Sequence, residues 1–141
     1  MSDTKHDLRK QPTPYRVLVV DDQEIMGKLI ADVLARFGHQ CRIAKSGAEA
    51  LESMKEDKYD AVITDIVMPE MDGVALTKEL LGLRPDLPVM VMTGHGGSYS
   101  PDSAYLAGAR DFITKSFTID DFIFRFSKMM DENRASETRS G

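Results

Sequence analysis

The sequence predicts an α/β protein built on a doubly wound parallel sheet. Five short apolar runs alternate along the chain with five segments whose apolar residues recur at helical spacing. Strict alternation of strands and helices is typical of a parallel sheet with helices on both faces. The 141 residues suit one domain of this kind, and no internal repeat interrupts the pattern.

Each strand is predicted from a short run rich in β-branched residues, which is typical of strands buried inside a parallel sheet. The predicted strands cover residues 15–20, 40–44, 59–64, 87–92 and 111–114. The helices between and after them are expected over about 25–37, 47–56, 73–81, 101–108 and 118–130. Gly38 is a C′ stop for the first helix, and Ser46 with Glu49 forms a capping box for the second. We expect residues 1–14 to be a disordered arm, 15–131 the folded domain and 132–141 a flexible tail.

The composition excludes several classes of partner and location. The formal net charge of −5 argues against nonspecific binding to nucleic acid. Cys41 is the single cysteine, so a disulfide framework is excluded and a reducing compartment fits. No apolar run reaches membrane-spanning length, and the polar N-terminus lacks the apolar core of a secretion signal. We therefore expect a cytoplasmic protein without nucleic-acid or membrane partners.

Charged residues stand at the ends of three predicted strands. Asp21 and Asp22 follow the first strand, Asp65 follows the third, and Lys115 follows the fifth. Because open α/β sheets bind ligands outside the carboxyl ends of their strands, these side chains are expected to meet there. Two carboxylates about 4 Å apart repel by roughly 4 kcal/mol at an effective dielectric near 20, so the cluster needs a neutralising cation. The pattern predicts a site for a divalent ion and phosphate, although Asp21 and Asp22 alone also fit the N-cap of the first helix.

The strand-end motifs, in their order along the chain, resemble the receiver domains of bacterial two-component signalling, the response-regulator family. The resemblance rests on residues 17–22 (VLVVDD), 64–73 (TDIVMPEMDG), 91–94 (VMTG) and 114–115 (TK), and it covers residues 15–131. It implies the flavodoxin-like strand order 2-1-3-4-5. It also implies a phosphoryl donor, either a sensor histidine kinase or a histidine phosphotransferase.

The resemblance implies a role for each charged residue of the cluster. Asp65 would accept the phosphoryl group, and Lys115 would contact the phosphoryl oxygens. The implied ligands of Mg²⁺ (or Mn²⁺) are Asp21, Asp22, Asp65 and the backbone carbonyl of Val67. These roles agree with the chemistry of phosphoryl transfer, which depends on positioning and on positive charge at the phosphoryl oxygens.

Thr93 and Phe112 occupy the positions that the resemblance marks as a conformational switch. The hydroxyl would turn toward the phosphoryl group and the ring would fill the vacated space, although Phe112 equally fits a plain core position. A hydrogen bond to a charged acceptor contributes about 1.5–3 kcal/mol, whereas inverting a 1:99 equilibrium takes about 5.5 kcal/mol. Thr93 alone therefore does not suffice. Residues 94–98 (GHGGS) are expected to form a mobile loop over the site, with His95 as an exposed side chain.

Two residues, Ser116 and Phe124, are not explained by the family pattern. Ser116 stands where family members usually carry proline after a cis bond. The Lys115–Ser116 bond is thus either trans, with a rerouted loop, or cis at a cost of about 2.5–4 kcal/mol. Phe124 falls opposite the apolar face of the last helix, and with Tyr105 and Arg125 it marks a candidate partner face.

The leading hypothesis is a stand-alone receiver that is not an enzyme and signals through protein contacts, as a monomer or a phosphorylation-dependent dimer. Eleven residues follow Met130, too few for an output domain. An unphosphorylated scaffold is the first alternative, and the intact cluster argues against it. An aspartyl-phosphate phosphatase would need a second acid where Val67 stands. A flavodoxin-type protein would need a phosphate-binding loop where Asp21 and Asp22 repel phosphate.

Overall fold

The computed structural model describes residues 14–94 and 101–140, with side chains through residue 134. The strands in this part of the chain are Arg16–Val20 (β1), Gln40–Ala44 (β2), Ala61–Asp65 (β3), Val89–Thr93 (β4) and Asp111–Thr114 (β5). The helices are Glu24–Arg36 (α1), Gly47–Glu56 (α2), Gly73–Leu83 (α3), Pro101–Leu106 (α4) and Ile119–Ser140 (α5). All strand pairs are parallel and the order is β2-β1-β3-β4-β5, which confirms the predicted fold.

Helices cover both faces of the sheet. Successive strand residues point to opposite faces, so each strand places apolar side chains in both layers. Val17 and Val19 of β1 lie in the core layer of α1 and α5, whereas Leu18 and Val20 lie in the layer of α2, α3 and α4. The first layer includes Ile30, Val33, Leu34, Phe122, Phe126, Met129 and Met130. The second includes Ala50, Leu76, Leu80 and Ala104. Burial on both faces explains why β1, β3 and β4 are almost continuously apolar.

Two of the predicted helix-end residues, one after α1 and one before α2, have the expected geometry. Gly38 adopts a φ of 91° after the C-cap of α1, a conformation that glycine reaches without a steric penalty. Ser46 Oγ accepts a hydrogen bond from the Glu49 backbone N–H at 3.1 Å and so caps α2. The Glu49 carboxylate accepts from the Lys45 N–H at 2.6 Å, one residue before the partner that a capping box would use.

The last helix is longer than predicted. We expected α5 to end near Met130, but it continues to Ser140, and Asn133 is only 7% exposed. The polar residues after Met130 include no glycine or proline before Gly141, so nothing in this run stops a helix. The flexibility expected of residues 132–141 stays a prediction. No helix in the described ranges is both long and apolar enough to cross a membrane.

Two expectations fall on residues outside the described part of the chain. They are the disordered arm over residues 1–14, of which only residue 14 is described, and the loop that contains His95.

Candidate functional site

Three carboxylates meet at the carboxyl edge of the sheet. Asp21 and Asp22 follow β1, and Asp65 is the last residue of the neighbouring strand β3. One carboxylate oxygen from each residue lies within 4.8 Å of the other two. Asp21 and Asp65 are buried, whereas Asp22 is exposed. The structure therefore brings together the acidic cluster that the strand ends predict.

Lys115 reaches into this cluster from the end of β5. Its Nζ lies 3.2 Å from Asp21 Oδ2 and 3.1 Å from Asp65 Oδ2. The backbone of Lys115 is anchored to β4, because its N–H donates to the Thr93 carbonyl at 2.7 Å. No peptide bond among the described residues is cis, so the Lys115–Ser116 bond is trans. The lysine reaches the acids even though Ser116 replaces the usual proline.

Burial and the neighbouring charges act on Asp65 in opposite directions. Burial is the largest influence and raises the pKa of the Asp65 carboxyl, and the charge of Asp21 raises it further. Lys115 and a hydrogen bond from the Val67 N–H partly offset this increase in pKa. An added cation would favour the ionised carboxylate, which is the form that can attack phosphorus.

The loop after β3 packs closely against the Asp65 backbone. The Gly73 N–H donates to the Ile66 carbonyl at 2.8 Å, which brings the first residue of α3 beneath the site. A β-carbon at Gly73 would lie 2.8 Å from Ile66 Cα and closer still to the Asp65 carbonyl oxygen. Only glycine fits at this position without moving the backbone. Asp72 caps α3 by accepting from the Ala75 N–H at 2.8 Å.

An open crevice of about 600 Å³ lies above the acids. Its lining residues are Asp22, Gln23, Asp65, Val67, Thr93, Gly94, Lys115 and Ser116. The Val67 side chain is 54% exposed and forms part of the apolar wall. The crevice can therefore admit a phosphoryl group carried by another molecule. Sequence reasoning did not identify Gln23 as a member of this site, because its place depends on how α1 starts.

Thr93 and Phe112 lie on neighbouring strands beside the crevice. Thr93 is the buried last residue of β4, and it pairs with Thr114 in the parallel register. Phe112 pairs with Val91 and packs, half-buried, on the core layer of α2, α3 and α4. Strand alternation puts Thr93 on the same side of the sheet as Val91. The arrangement suits both hypotheses for Phe112, the switch and the plain core position.

The candidate partner face is organised by a residue that sequence reasoning missed. Asp111 Oδ1 accepts hydrogen bonds from the Phe112 N–H at 2.8 Å, from Arg125 Nη1 at 2.9 Å and from the Tyr105 hydroxyl at 3.4 Å. Burial, followed by the charge of Asp111, raises the pKa of Tyr105. Phe124 is 65% exposed and lines a pocket together with Asp111 and Arg125.

Comparison with known proteins decides the family. A model of the response regulator receiver domain matches residues 17–126. The chain belongs to this family. Receiver domains take part in two-component signalling, and this assignment favours a receiver over the flavodoxin and phosphatase alternatives.

Relatives of this receiver domain include larger regulators. It is 39% identical over 107 residues to the DNA-binding transcriptional regulator NtrC of Escherichia coli K12, covering 76% of the chain and 23% of NtrC. It is 30% identical over 115 residues to the response regulator MprA of Mycobacterium tuberculosis H37Rv, covering 82% of the chain and 50% of MprA. The chain thus spans half or less of these curated relatives.

A solved structure agrees with the fold. The receiver domain of NtrX from Brucella abortus superposes with a TM-score of 0.78 at 34% identity, covering 82% of this chain and 98% of that one.

Proposed function

We propose that the protein is a response regulator whose Asp65 accepts a phosphoryl group from a sensor histidine kinase or a histidine phosphotransferase. The contact of Lys115 Nζ with both Asp21 and Asp65 at the base of an open crevice carries this proposal. It joins a nucleophilic carboxylate, an acidic cluster and a fixed positive charge at one point. Phosphoryl transfer depends on this combination of positioning and charge.

The cluster fits a small, hard divalent cation. Asp21, Asp22 and Asp65 each offer one carboxylate oxygen, and these three oxygens lie within 4.8 Å of one another. Opposite ligands of an octahedral Mg²⁺ lie about 4.2 Å apart, so oxygens within 4.8 Å of one another need to move together only slightly to bind one such ion. We propose Asp21, Asp22, Asp65 and the Val67 carbonyl as its ligands, with Mn²⁺ as a substitute. When bound, Mg²⁺ supplies positive charge to the phosphoryl oxygens.

The residues of the site share the work of the transfer. An ionised Asp65 oxygen attacks phosphorus, the P–N bond of the phosphohistidine donor breaks, and its electron pair stays on the leaving imidazole. Lys115 holds Asp65 before the reaction and is placed to contact the incoming phosphoryl oxygens. Positive charge at this point stabilises the charge that gathers on those oxygens.

We propose that Thr93 and Phe112 then carry the signal away from Asp65. Thr93 lines the crevice with Asp65, and Phe112 lies two register pairs away on β5. A Thr93 hydroxyl drawn to the phosphoryl group would free space beside Phe112. The face formed by Tyr105, Phe124 and Arg125 is adjacent to β5, because Tyr105 and Arg125 both bind Asp111. This face is the proposed contact for a downstream protein.

The same proposal makes the chain a signalling module rather than an enzyme. Val67 stands where an aspartyl-phosphate phosphatase would carry its second acid. The net charge of −5 supports protein partners over nucleic acid, and no membrane contact is proposed.

Burial raises the pKa of Cys41 to about 11, which suits an unreactive thiol in the cytoplasm. We propose a monomer, or a dimer that forms on phosphorylation.

The proposal is tested by incubating the full chain with a small phosphodonor such as acetyl phosphate, with and without Mg²⁺. We expect Mg²⁺-dependent incorporation that Asp65→Asn abolishes and that Asp22→Asn shifts to higher Mg²⁺ concentration. Asp86→Asn is the matched control, because Asp86 is exposed and pairs only loosely with Arg84 at 3.8 Å. Incorporation that ignores Mg²⁺, or that survives in Asp65→Asn, would contradict the proposal.

A further inference from the structure

Gln23 is a neutral polar residue on the wall of the crevice, and the proposed phosphoryl transfer assigns it no role. It is the N-cap residue of α1, yet its side chain makes no capping hydrogen bond. Short polar side chains dominate at N-caps because their oxygen satisfies a free N–H of the first turn. The Gln23 side chain is instead exposed and lines the crevice that holds Asp65 and Lys115. Its carboxamide is thus available to form hydrogen bonds with a molecule that enters the crevice.

The backbone of Gln23 is fixed relative to Asp65 through a short chain of contacts. The Gln23 N–H donates to Asp21 Oδ1 at 2.9 Å. The other oxygen of Asp21 lies 3.2 Å from Lys115 Nζ, and Lys115 Nζ lies 3.1 Å from Asp65 Oδ2. Asp21 therefore holds the backbone at the start of α1 against the site, and the Gln23 side chain makes no capping bond.

The chemistry of the described crevice residues singles out Gln23 as a partner for water. Ionised carboxylates only accept hydrogen bonds and a lysine ammonium only donates them, whereas a carboxamide does both. The hydroxyl of Thr93 is buried and assigned to the phosphoryl group. Ser116 Oγ lies 3.2 Å from Thr114 Oγ1, so its hydroxyl already has a partner. A water held by Gln23 would lie in the same crevice as the phosphoryl group.

We propose that the Gln23 carboxamide orients the water that hydrolyses the aspartyl phosphate at Asp65, and thereby sets the lifetime of the phosphorylated state. The inference rests on the proposed function. The water oxygen bonds to phosphorus, the bond from phosphorus to the Asp65 oxygen breaks, and its electron pair returns to the carboxylate. Both protons of the water leave with inorganic phosphate. Gln23 Oε1 accepts a hydrogen bond from the water, the task that glutamine performs in GTPases.

The test measures the decay of the phosphorylated full chain. The protein is phosphorylated with acetyl phosphate and Mg²⁺, desalted rapidly to remove the donor, and followed by intact mass spectrometry. The variants are Gln23→Ala and Gln23→Leu, and the matched control is Gln40→Leu, an exposed glutamine at the opposite end of the sheet. We expect both Gln23 variants to lengthen the lifetime about tenfold, which corresponds to about 1.4 kcal/mol in the barrier. Gln40→Leu should decay like the wild type.

The incorporation step separates failure of this inference from failure of the proposed function. Normal incorporation, with lifetimes in the Gln23 variants that are unchanged or shorter, overturns the role of Gln23 alone. A lifetime that is also longer in Gln40→Leu overturns the role of Gln23. A further variant, Ser116→Ala, overturns it if its lifetime is longer while the Gln23 variants decay like the wild type. Absence of incorporation in the wild type, or incorporation that survives in Asp65→Asn, contradicts the proposed function and this inference with it.

Discussion

At the scale of single residues, Tyr59 carries an unsatisfied polar group in the core. Its side chain is 1% exposed, and within the described residues its hydroxyl has no hydrogen-bond partner. The Arg16 guanidinium lies 5.2 Å from the ring centroid, and Arg84 donates to the Tyr59 carbonyl. These contacts hold the ring and the backbone without using the hydroxyl.

Tyr59→Phe is therefore expected to leave the free energy of unfolding unchanged or to raise it by up to about 1 kcal/mol, because it removes a desolvated hydroxyl and keeps the ring. Urea denaturation measures the change. Tyr59→Leu is the control, and it should lower the free energy of unfolding by about 2 kcal/mol or more through the cavity that it leaves. A loss of more than about 1 kcal/mol in Tyr59→Phe would show that the hydroxyl is bonded after all.

His39 links stability to pH. Its Nδ1 accepts a hydrogen bond from the Tyr15 N–H at 3.2 Å, and its ring stacks on Tyr15 and meets the edge of Phe126. Burial lowers the pKa of His39 from 6.5. The unfolded chain, with the ordinary pKa, binds a proton more readily than the folded chain does. The contribution of His39 to stability is therefore full above about pH 6.5 and is lost as the pH falls below it.

The expected result is a fall in the free energy of unfolding between about pH 7.5 and 5.5, the range in which histidine titrates. His39→Gln keeps a hydrogen-bond acceptor and removes the titration, so its unfolding free energy should vary less over this range. An equal pH dependence in His39→Gln and the wild type would rule out His39 as a cause.

At the scale of elements, the junction of β3 and α3 depends on one glycine. Gly73→Ala would force a methyl group against the backbone of Asp65 and Ile66. We expect it to lower the free energy of unfolding by about 1–3 kcal/mol and to slow phosphoryl acceptance, because the Asp65 backbone must shift. Urea denaturation and phosphodonor labelling measure the two effects.

Gly82 provides a matched control in the same helix. A β-carbon at Gly82 would meet no atom within 4 Å. Gly82→Ala should therefore raise the free energy of unfolding by about 0.5–1 kcal/mol and leave labelling unchanged. Equal stability of the two variants would contradict the tight packing at Gly73.

The strands and the charged cluster were predictable because both follow from local patterns. Apolar runs mark the strands, and the carboxyl ends of parallel strands meet at one edge, so Asp21, Asp65 and Lys115 had to converge. The end of α5 was predicted too early because polar composition alone does not stop a helix. The links through Asp111 and the position of Gln23 depend on tertiary placement of side chains, which no local pattern encodes.

At the scale of the whole molecule, the proposed switch couples the site to β5 and the partner face. Thr93→Ala should still accept a phosphoryl group at Asp65 but should transmit less of the resulting change. Amide hydrogen exchange with and without beryllofluoride, a phosphoryl mimic, measures that change. In the wild type we expect the mimic to alter exchange in β4, α4 and β5, and in Thr93→Ala we expect a smaller difference.

Thr114→Ala is the matched control for the switch. Thr114 is exposed and pairs with Thr93 across the sheet, so its loss should leave the exchange difference intact. An exchange difference of wild-type size in Thr93→Ala would remove the hydroxyl from the pathway of the signal.

We propose that Asp65 itself carries the phosphoryl group, and chemical mapping of the modified residue can locate that group on the chain. The chain is labelled with acetyl phosphate and Mg²⁺, reduced with borohydride, digested and sequenced by mass spectrometry. Borohydride converts an aspartyl phosphate to homoserine. We expect homoserine at position 65 and at neither of the neighbouring acids, Asp21 and Asp22. Homoserine at another position, or labelled protein without any homoserine, would contradict it.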